Sequence, residues 1–78
     1  MDKTRLKSIK AMMEIAIIAI GRERNAYNFY LEASEEAYDE ESKELFLSLA
    51  NQEKQHLANM EKLLESTKSL YEEEKKKI

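Results

Sequence analysis

The chain has 78 residues, enough for one domain but too few to build a large core alone. It has no cysteine, which excludes disulfides, thiolate zinc sites and iron–sulfur clusters. The net charge of −3 comes from intermixed acids and bases, and no basic face with interleaved aromatic residues is present, so we expect no nucleic-acid partner.

The most apolar stretch of the chain is AMMEIAIIAI, at residues 11–20. It is interrupted by Glu14 and is about half as long as the roughly 20 residues that a bilayer-spanning helix needs, so we expect no membrane partner. The preceding residues, MDKTRLKSIK, are not followed by the apolar segment and small-residue cleavage site of a signal peptide. We therefore expect a cytoplasmic protein.

The first predicted element is a long helix over about residues 3–37. Its apolar residues recur at the three- and four-residue spacing of one helix face, and no strand-like alternation is present. The residues of this stripe are Ile9, Met12, Met13, Ala16, Ala19, Ile20, Ala26, Tyr27, Tyr30, Ala33 and Ala37.

The second predicted helix spans about residues 40–74, after a turn at Tyr38 and Asp39. Asp39 is a favourable N-cap, and Glu40 and Glu41 complement the helix dipole in the first turn. The apolar stripe of this helix contains Leu45, Phe46, Leu49, Leu57, Met60, Leu63 and Leu64. The predicted fold class is therefore all-α, an antiparallel hairpin of two helices.

The first helix is apolar on more than one side. Ile15, Ile17, Ile18 and Phe29 widen its apolar face beyond the usual stripe of about 100°, which a single neighbouring helix cannot cover. Self-association of two hairpins into a four-helix bundle would cover the remainder. We therefore predict one domain over residues 1–78 that forms a homodimer or a larger homo-oligomer.

Three ionisable side chains interrupt the apolar stripes. Glu23 lies three residues after Ile20 and four before Tyr27, while Glu53 and His56 lie one turn apart on the second helix. At a rise of about 1.5 Å per residue, both glutamates lie roughly 20 Å from the turn. The sequence therefore predicts that Glu23, Glu53 and His56 converge on one spot.

This spot lies near the middle of both helices, so a two-fold axis at its level would bring two such spots together. The combined site would hold four glutamates and two histidines, which is the ligand set of di-iron carboxylate bundles. Four carboxylates also balance the charge of two divalent ions. We predict a metal centre with two iron ions per dimer, with manganese and zinc as open alternatives.

Simpler interpretations of the individual residues are available. The pair formed by Glu53 and His56 could be two surface residues, and Glu23 could pair with Arg22 or Arg24. The joint occurrence of the three residues at one height, on both inner faces, favours the metal site. Nearby, Tyr30 is a candidate to hydrogen-bond a ligand carboxylate, with packing against the second helix as the alternative.

These residues resemble the rubrerythrin branch of the ferritin-like proteins. The match is E-x-x-A-x-x-F-Y from Glu23 to Tyr30 and F-x-x-L-A-x-x-E-K-x-H from Phe46 to His56, within about residues 12–64. Most of that family carries the motif twice, in four helices per chain, whereas it occurs once here. The chain is therefore similar to the two-helix form, as in encapsulated ferritins, in which two chains complete a ferritin-like bundle.

The resemblance implies a role for each site residue. Glu23 would be a terminal ligand, Glu53 the carboxylate that bridges two irons, and His56 a terminal nitrogen ligand, with Tyr30 nearby. These three ligands would also be the catalytic residues, because the implied activity is ferroxidase or peroxide chemistry at the metal.

Two features depart from encapsulated ferritins. Arg22 and Asn25 stand at positions where those proteins tend to carry further acids that guide iron inward. The C-terminal sequence YEEEKKKI contains no recognisable shell-targeting peptide. An encapsulin shell is therefore a partner that the C-terminus does not support.

Three functional hypotheses follow. The first, which we favour, is a ferroxidase-like di-iron oxidoreductase that oxidises Fe(II) with oxygen or peroxide. The second is rubrerythrin-like peroxide reduction, for which electrons would have to come from an external donor protein, because a chain without cysteine has no rubredoxin-type iron site. The third is a non-enzymatic helical hairpin that oligomerises around a structural metal.

Overall fold

The computed structural model describes residues 3–77 of the chain. They form two helices, α1 (Lys3–Glu36) and α2 (Glu40–Lys75), that pack against each other. The predicted all-α class is therefore confirmed. α1 ends one residue before the predicted end at 37, and α2 ends one residue after the predicted end at 74. Within residues 3–77, neither helix contains an apolar segment long enough to span a bilayer.

The turn between the helices spans residues 37–39 and is fixed by Asp39. The backbone of Asp39 is extended, and its Oδ1 accepts a hydrogen bond of 2.7 Å from the backbone amide of Ser42. This bond holds the pKa of Asp39 below its ordinary value. It also satisfies one of the amides left free at the start of α2, so the predicted N-cap is confirmed.

The opposite end of the hairpin is joined by an ion pair between the helices. Nη2 of Arg5, near the start of α1, lies 3.2 Å from Oε1 of Glu74, near the end of α2. Nζ of Lys77 lies 3.3 Å from the same oxygen. These contacts place the N-terminal end of α1 beside the C-terminal end of α2, as an antiparallel hairpin requires.

The core of the hairpin is thin. In the part of the chain that the structure describes, the buried apolar residues are Ile9, Ala16 and Ala50, and no large side chain is fully buried. The radius of gyration is 17.6 Å, whereas a compact domain of this length would have one of about 11.5 Å. Two helices alone therefore leave much of their apolar surface uncovered.

Several large apolar side chains are exposed. Met12 and Leu45, which the sequence places on the inner stripes, are 43% and 57% exposed. They lie at the edges of their stripes, beyond the area that one neighbouring helix covers. The additional apolar residues of α1 are also exposed, as expected; they are Ile15, Ile17, Ile18 and Phe29.

Candidate metal centre

Glu23 of α1 meets Glu53 and His56 of α2 midway along the hairpin. Each residue offers one potential ligand atom, and these three atoms lie within 4.8 Å of one another. Nδ1 of His56 lies 3.5 Å from Oε2 of Glu23 and 3.6 Å from Oε2 of Glu53. The structure thus brings together the three residues that the sequence places at one height.

The positions of the helix ends explain why these residues meet. α1 ends at Glu36 and α2 begins at Glu40. Counted along the chain, Glu23 is as far from Glu36 as Glu53 is from Glu40. Both glutamates are therefore about 20 Å from the turn. Ala50, one turn before Glu53, is only 2% exposed, so a small side chain separates the helices beside the centre.

Oε2 of Glu23 is buried and has no hydrogen-bond partner among the described residues. Buried carboxylate oxygens are ordinarily satisfied, because leaving one without a partner carries a large desolvation cost. The nearby Nδ1 of His56 does not meet the geometry of a hydrogen bond to this oxygen. A bound cation would supply the missing partner.

The electrostatics of Glu53 point in the same direction. The carboxyl group of Glu23, close enough to share a proton with Glu53, raises the pKa of Glu53 above its ordinary 4.5. Desolvation and the negative charge of Glu23 raise it further, while His56 opposes the shift. Two carboxylates held this close favour a proton or a cation between them.

The set of donor atoms fits a divalent transition metal. Two ligand atoms that each lie about 2.1 Å from an ion, at near right angles, are about 3 Å apart. The separations of 3.5 and 3.6 Å at His56 are close to this value. Mixed ligation by carboxylate and imidazole suits iron, manganese or zinc. Three donors leave the coordination incomplete, and the His56 side chain is 57% exposed.

A hollow of about 390 Å³ borders the centre and is lined by Ile15, Ile18, Ala19, Arg22 and Glu23. From the sequence, Arg22 is expected at the site only as an alternative ion-pair partner of Glu23. Its position beside Glu23 in this hollow could have been read from its spacing, because it lies seven residues after Ile15 and falls on the same side of α1.

The alternative in which Arg24 forms an ion pair with Glu23 finds no support. Nη2 of Arg24 instead lies 3.9 Å from Oε2 of Glu61, on the other helix. Glu23 therefore keeps its unpartnered oxygen although two arginines flank it in the sequence.

The ring of Tyr30 packs edge-on against the ring of Phe29, with centroids 5.4 Å apart. Its side chain is half-buried. A hydrogen bond from Tyr30 to Glu23 or Glu53 is not among those formed by residues 3–77. The role of Tyr30 in supporting a ligand carboxylate stays a prediction for the metal-loaded centre.

Comparison with known protein families gives a match over nearly the whole chain. The model of the family described as Rubrerythrin matches residues 5–78, a span that contains both halves of the centre. No curated protein and no solved structure matches the chain. The family match extends well beyond the two short motifs and covers nearly the whole of both helices.

Proposed function

The chain belongs to the rubrerythrin family, and from this premise we propose that it is a di-iron oxidoreductase whose metal centre is shared between two copies. Each copy contributes Glu23, Glu53 and His56, so that a dimer offers four carboxylates and two imidazoles to two ions. The convergence of these donors around an oxygen of Glu23 that lacks a hydrogen-bond partner is the observation that carries the proposal.

Two observations support the pairing of two copies. The ligand set of one hairpin is incomplete, and its histidine is exposed. The hairpin also has too thin a core to cover its own apolar side chains, of which Ile15 and Phe29 are 64% and 63% exposed. A ferritin-like four-helix bundle of two half-bundle domains completes both the ligand set and the core.

The reaction that fits the donor set best is the oxidation of Fe(II), which is the substrate. Two Fe(II) ions lose one electron each, and these two electrons, with two protons, reduce O₂ to H₂O₂ or reduce H₂O₂ to two water molecules. Carboxylate-rich ligation favours this direction because hard oxygen donors stabilise Fe(III). Iron held at the centre supplies the redox chemistry.

The side chains of the centre bind the metal and move protons. Glu53 would bind the metal as the carboxylate, and a cation between the two carboxylates would oppose the upward shift of its pKa. Glu23 offers its unpartnered Oε2 as a ligand without breaking a hydrogen bond. Nδ1 of His56 lies near both carboxylates and would bind the metal as the neutral imidazole.

The test combines metal binding with single-turnover kinetics. Anaerobic titration with Fe(II) should give two ions per two chains, and mixing with O₂ should oxidise them faster than free Fe(II) in the same buffer. Glu53→Ala should lose most of the binding, because it removes two ligands from each dimer. Glu61→Ala is the matched control, since Glu61 lies on the same helix and pairs with Arg24 outside the centre.

The possible outcomes separate the proposal from its alternatives. Iron uptake that is equal in the parent and in Glu53→Ala would overturn the shared centre. Tight binding without faster oxidation by O₂ or H₂O₂ would make the metal structural and the protein non-enzymatic. Oxidation by H₂O₂ alone, sustained only with an added electron donor, would identify a peroxidase.

A further inference from the structure

Arg22 is a cation without a partner beside the centre. It is exposed on α1, and in the part of the chain that the structure describes it forms no ion pair. The other two arginines of the chain both reach an acid of α2. Arg5 lies 3.2 Å from Glu74, and Arg24 lies 3.9 Å from Glu61. Because a guanidinium is always protonated in proteins, Arg22 carries a positive charge that no described side chain neutralises.

The sequence explains why Arg22 has no partner on its own helix. Side chains on a helix meet those that lie three or four residues away, which for Arg22 are Ile18, Ala19, Asn25 and Ala26. None of these four side chains carries a charge. The adjacent Glu23 points about 100° away, because consecutive residues of a helix lie on different sides. Arg22 therefore stands on an uncharged part of the surface of α1.

The hollow of about 390 Å³ beside the centre combines this cation with an apolar wall. Its lining consists of Ile15, Ile18, Ala19, Arg22 and Glu23. The volume lies within the range of small-molecule sites, about 300–1,000 Å³, which are mostly apolar and use a few polar groups to orient the ligand. The hollow therefore has the composition of a site for a molecule with one charged group and an apolar part.

Two larger grooves of the hairpin differ from this hollow in their charge. One of them contains both Glu44 and Lys54, and the other contains both Glu61 and Lys68. Acids and bases in those grooves can compensate each other. In the hollow, the acid of the lining is Glu23, which the proposed centre uses as a metal ligand.

The charges of the loaded centre balance without Arg22. One divalent ion per chain neutralises the carboxylates of Glu23 and Glu53, and His56 is neutral as a ligand. One positive charge per chain, that of Arg22, is then left over. Pairing of two copies around the centre would narrow the hollow and remove water from this charge, so an anion beside it becomes favourable. In the metal-free chain, the two carboxylates supply negative charge of their own.

We propose that the hollow binds a small organic monocarboxylate, with its carboxylate on Arg22 and its hydrocarbon part against Ile15 and Ile18. The inference rests on the proposed metal centre, because the charge balance requires a bound ion. A guanidinium matches a planar carboxylate with two parallel N–H donors. The isoleucines favour a hydrocarbon, whereas the remaining oxygens of an inorganic phosphate would face them without hydrogen-bond partners.

The proposed site makes metal retention depend on the acid. A ligand that binds better when the metal is present must raise the affinity for the metal by the same factor. The concentration of a small organic acid would therefore regulate how tightly the centre holds its ions. Arg22 has the role of a binding residue for the acid in this scheme and is not itself a metal ligand.

Calorimetric titration of the full chain tests the site, with Zn(II)-loaded and metal-free protein. The probes are acetate, butyrate and hexanoate, with inorganic phosphate for comparison. The affinity of the loaded protein should rise by up to about fourfold for each added methylene that the hollow covers. The metal-free protein should bind each acid at least about tenfold more weakly, because Glu23 and Glu53 are then not neutralised.

The contribution of Arg22 is measured with a matched pair of variants. Arg22→Gln should weaken the binding of all three acids about tenfold, because it removes the charge and the paired donors. Arg24→Gln makes the same change at a guanidinium that pairs with Glu61 outside the hollow. It should bind the acids like the parent.

Truncation of an isoleucine tests the apolar wall. Ile15→Ala should lower the affinity for hexanoate about fivefold and change that for acetate little, since acetate has almost no hydrocarbon to bury. Ile17→Ala is the control, because Ile17 is also exposed but does not line the hollow. The zinc content of each loaded variant is measured first.

Competition with a chromophoric chelator gives an independent measurement. Saturating hexanoate should tighten Zn(II) binding by the parent at least about tenfold, and it should have a much smaller effect in Arg22→Gln.

The possible outcomes separate this site from the proposed function. Loaded protein that binds none of the acids, or that binds them equally well as Arg22→Gln, overturns the site and leaves the metal centre intact. The hollow is then filled by the second copy or by water. Phosphate that binds more tightly than hexanoate, or an affinity that does not rise with chain length, overturns the assignment of a monocarboxylate. A protein that takes up no Zn(II) overturns both the site and the centre.

Discussion

Glu53 is the residue at which folding and the proposed function make opposite demands. Its side chain is 21% exposed and lies beside both Glu23 and His56. Proximity to Glu23 raises the pKa of Glu53. In the metal-free chain, the folded state therefore favours the protonated form of this carboxyl group. A metal centre requires the deprotonated form, and the ion has to compensate for that charge.

The first prediction concerns Glu53→Gln in the metal-free protein. Because the pKa of Glu53 is raised on folding, its contribution to stability is present below the ordinary value of 4.5 and is lost as the pH rises through the raised pKa. The glutamine cannot ionise, so the variant should melt at the same temperature as the parent at low pH and at a higher one at neutral pH. Thermal melts followed by circular dichroism between pH 4 and 8, buffered with chelator, measure the difference.

Glu61→Gln serves as the control for this comparison, because Glu61 is exposed and lies outside the centre. If Glu53→Gln melts below the parent at neutral pH without metal, the glutamates of the centre are held by stabilising ion pairs. The metal interpretation of the site would then be wrong.

The two helices were largely predictable from the sequence because their signals are local. The three- and four-residue spacing of apolar side chains and the N-cap at Asp39 each depend on neighbours along one helix. The convergence of Glu23, Glu53 and His56 was also accessible, because one short turn fixes the relative height of two straight helices.

Other features depend on the rotation of each helix about its own axis and on the distance between the two helices. The periodicity of the sequence determines neither. Met12 and Leu45 lie on the predicted stripes but are exposed in the hairpin. The ion pair between Arg5 and Glu74 joins residues from opposite ends of the chain, and many other acids and bases near those ends would have been equally good candidates. The spacing of residues in the sequence predicts the position of a side chain along the helix axis more accurately than it predicts the burial of that side chain.

The second prediction concerns the start of α2. Asp39→Ala removes the acceptor for the amide of Ser42 and should lower the melting temperature at neutral pH. The pKa of Asp39 is held below its ordinary value of 3.8, so its contribution is present above pH 3.8 and is lost as the pH falls through the lowered pKa. The difference in melting temperature between the parent and Asp39→Ala should therefore shrink below that pH. A difference that persists unchanged at low pH would exclude the Asp39 carboxylate as its source.

The third prediction concerns the middle of α1. Gly21 is the only glycine of the chain and lies inside the helix, and a Cβ atom built there would have no heavy atom within 4 Å. Gly21→Ala should therefore stabilise the fold by about 0.5–1 kcal/mol, because alanine loses less backbone freedom in a helix. Chemical denaturation measures this gain. A loss of stability or of dimer affinity would indicate that another chain approaches α1 closely at this position.

At the scale of the whole molecule, the hairpin is long and slender, with a thin core. Its buried apolar residues, Ile9, Ala16 and Ala50, include only one side chain larger than a methyl group among the described residues. The centre lies at mid-length, beside the apolar surface that remains exposed. The proposed pairing of two hairpins would therefore couple metal binding to the formation of a larger core.

The fourth prediction follows from this link. If only the dimer binds metal tightly, saturating Zn(II) should raise the free energy of unfolding by about 3 kcal/mol at a hundredfold excess over the dissociation constant. The melting temperature should also rise with protein concentration, because unfolding then separates two chains. Thermal melts of the parent at several concentrations, with Zn(II) or with chelator, measure both effects. In His56→Ala the dependence on concentration should persist while the effect of Zn(II) is mostly lost, since the exposed apolar side chains of α1 are retained but two imidazole ligands are not. If Zn(II) raises the melting temperature equally in the parent and in His56→Ala, the ion binds elsewhere. If the melting temperature does not depend on protein concentration, the hairpin is stable alone.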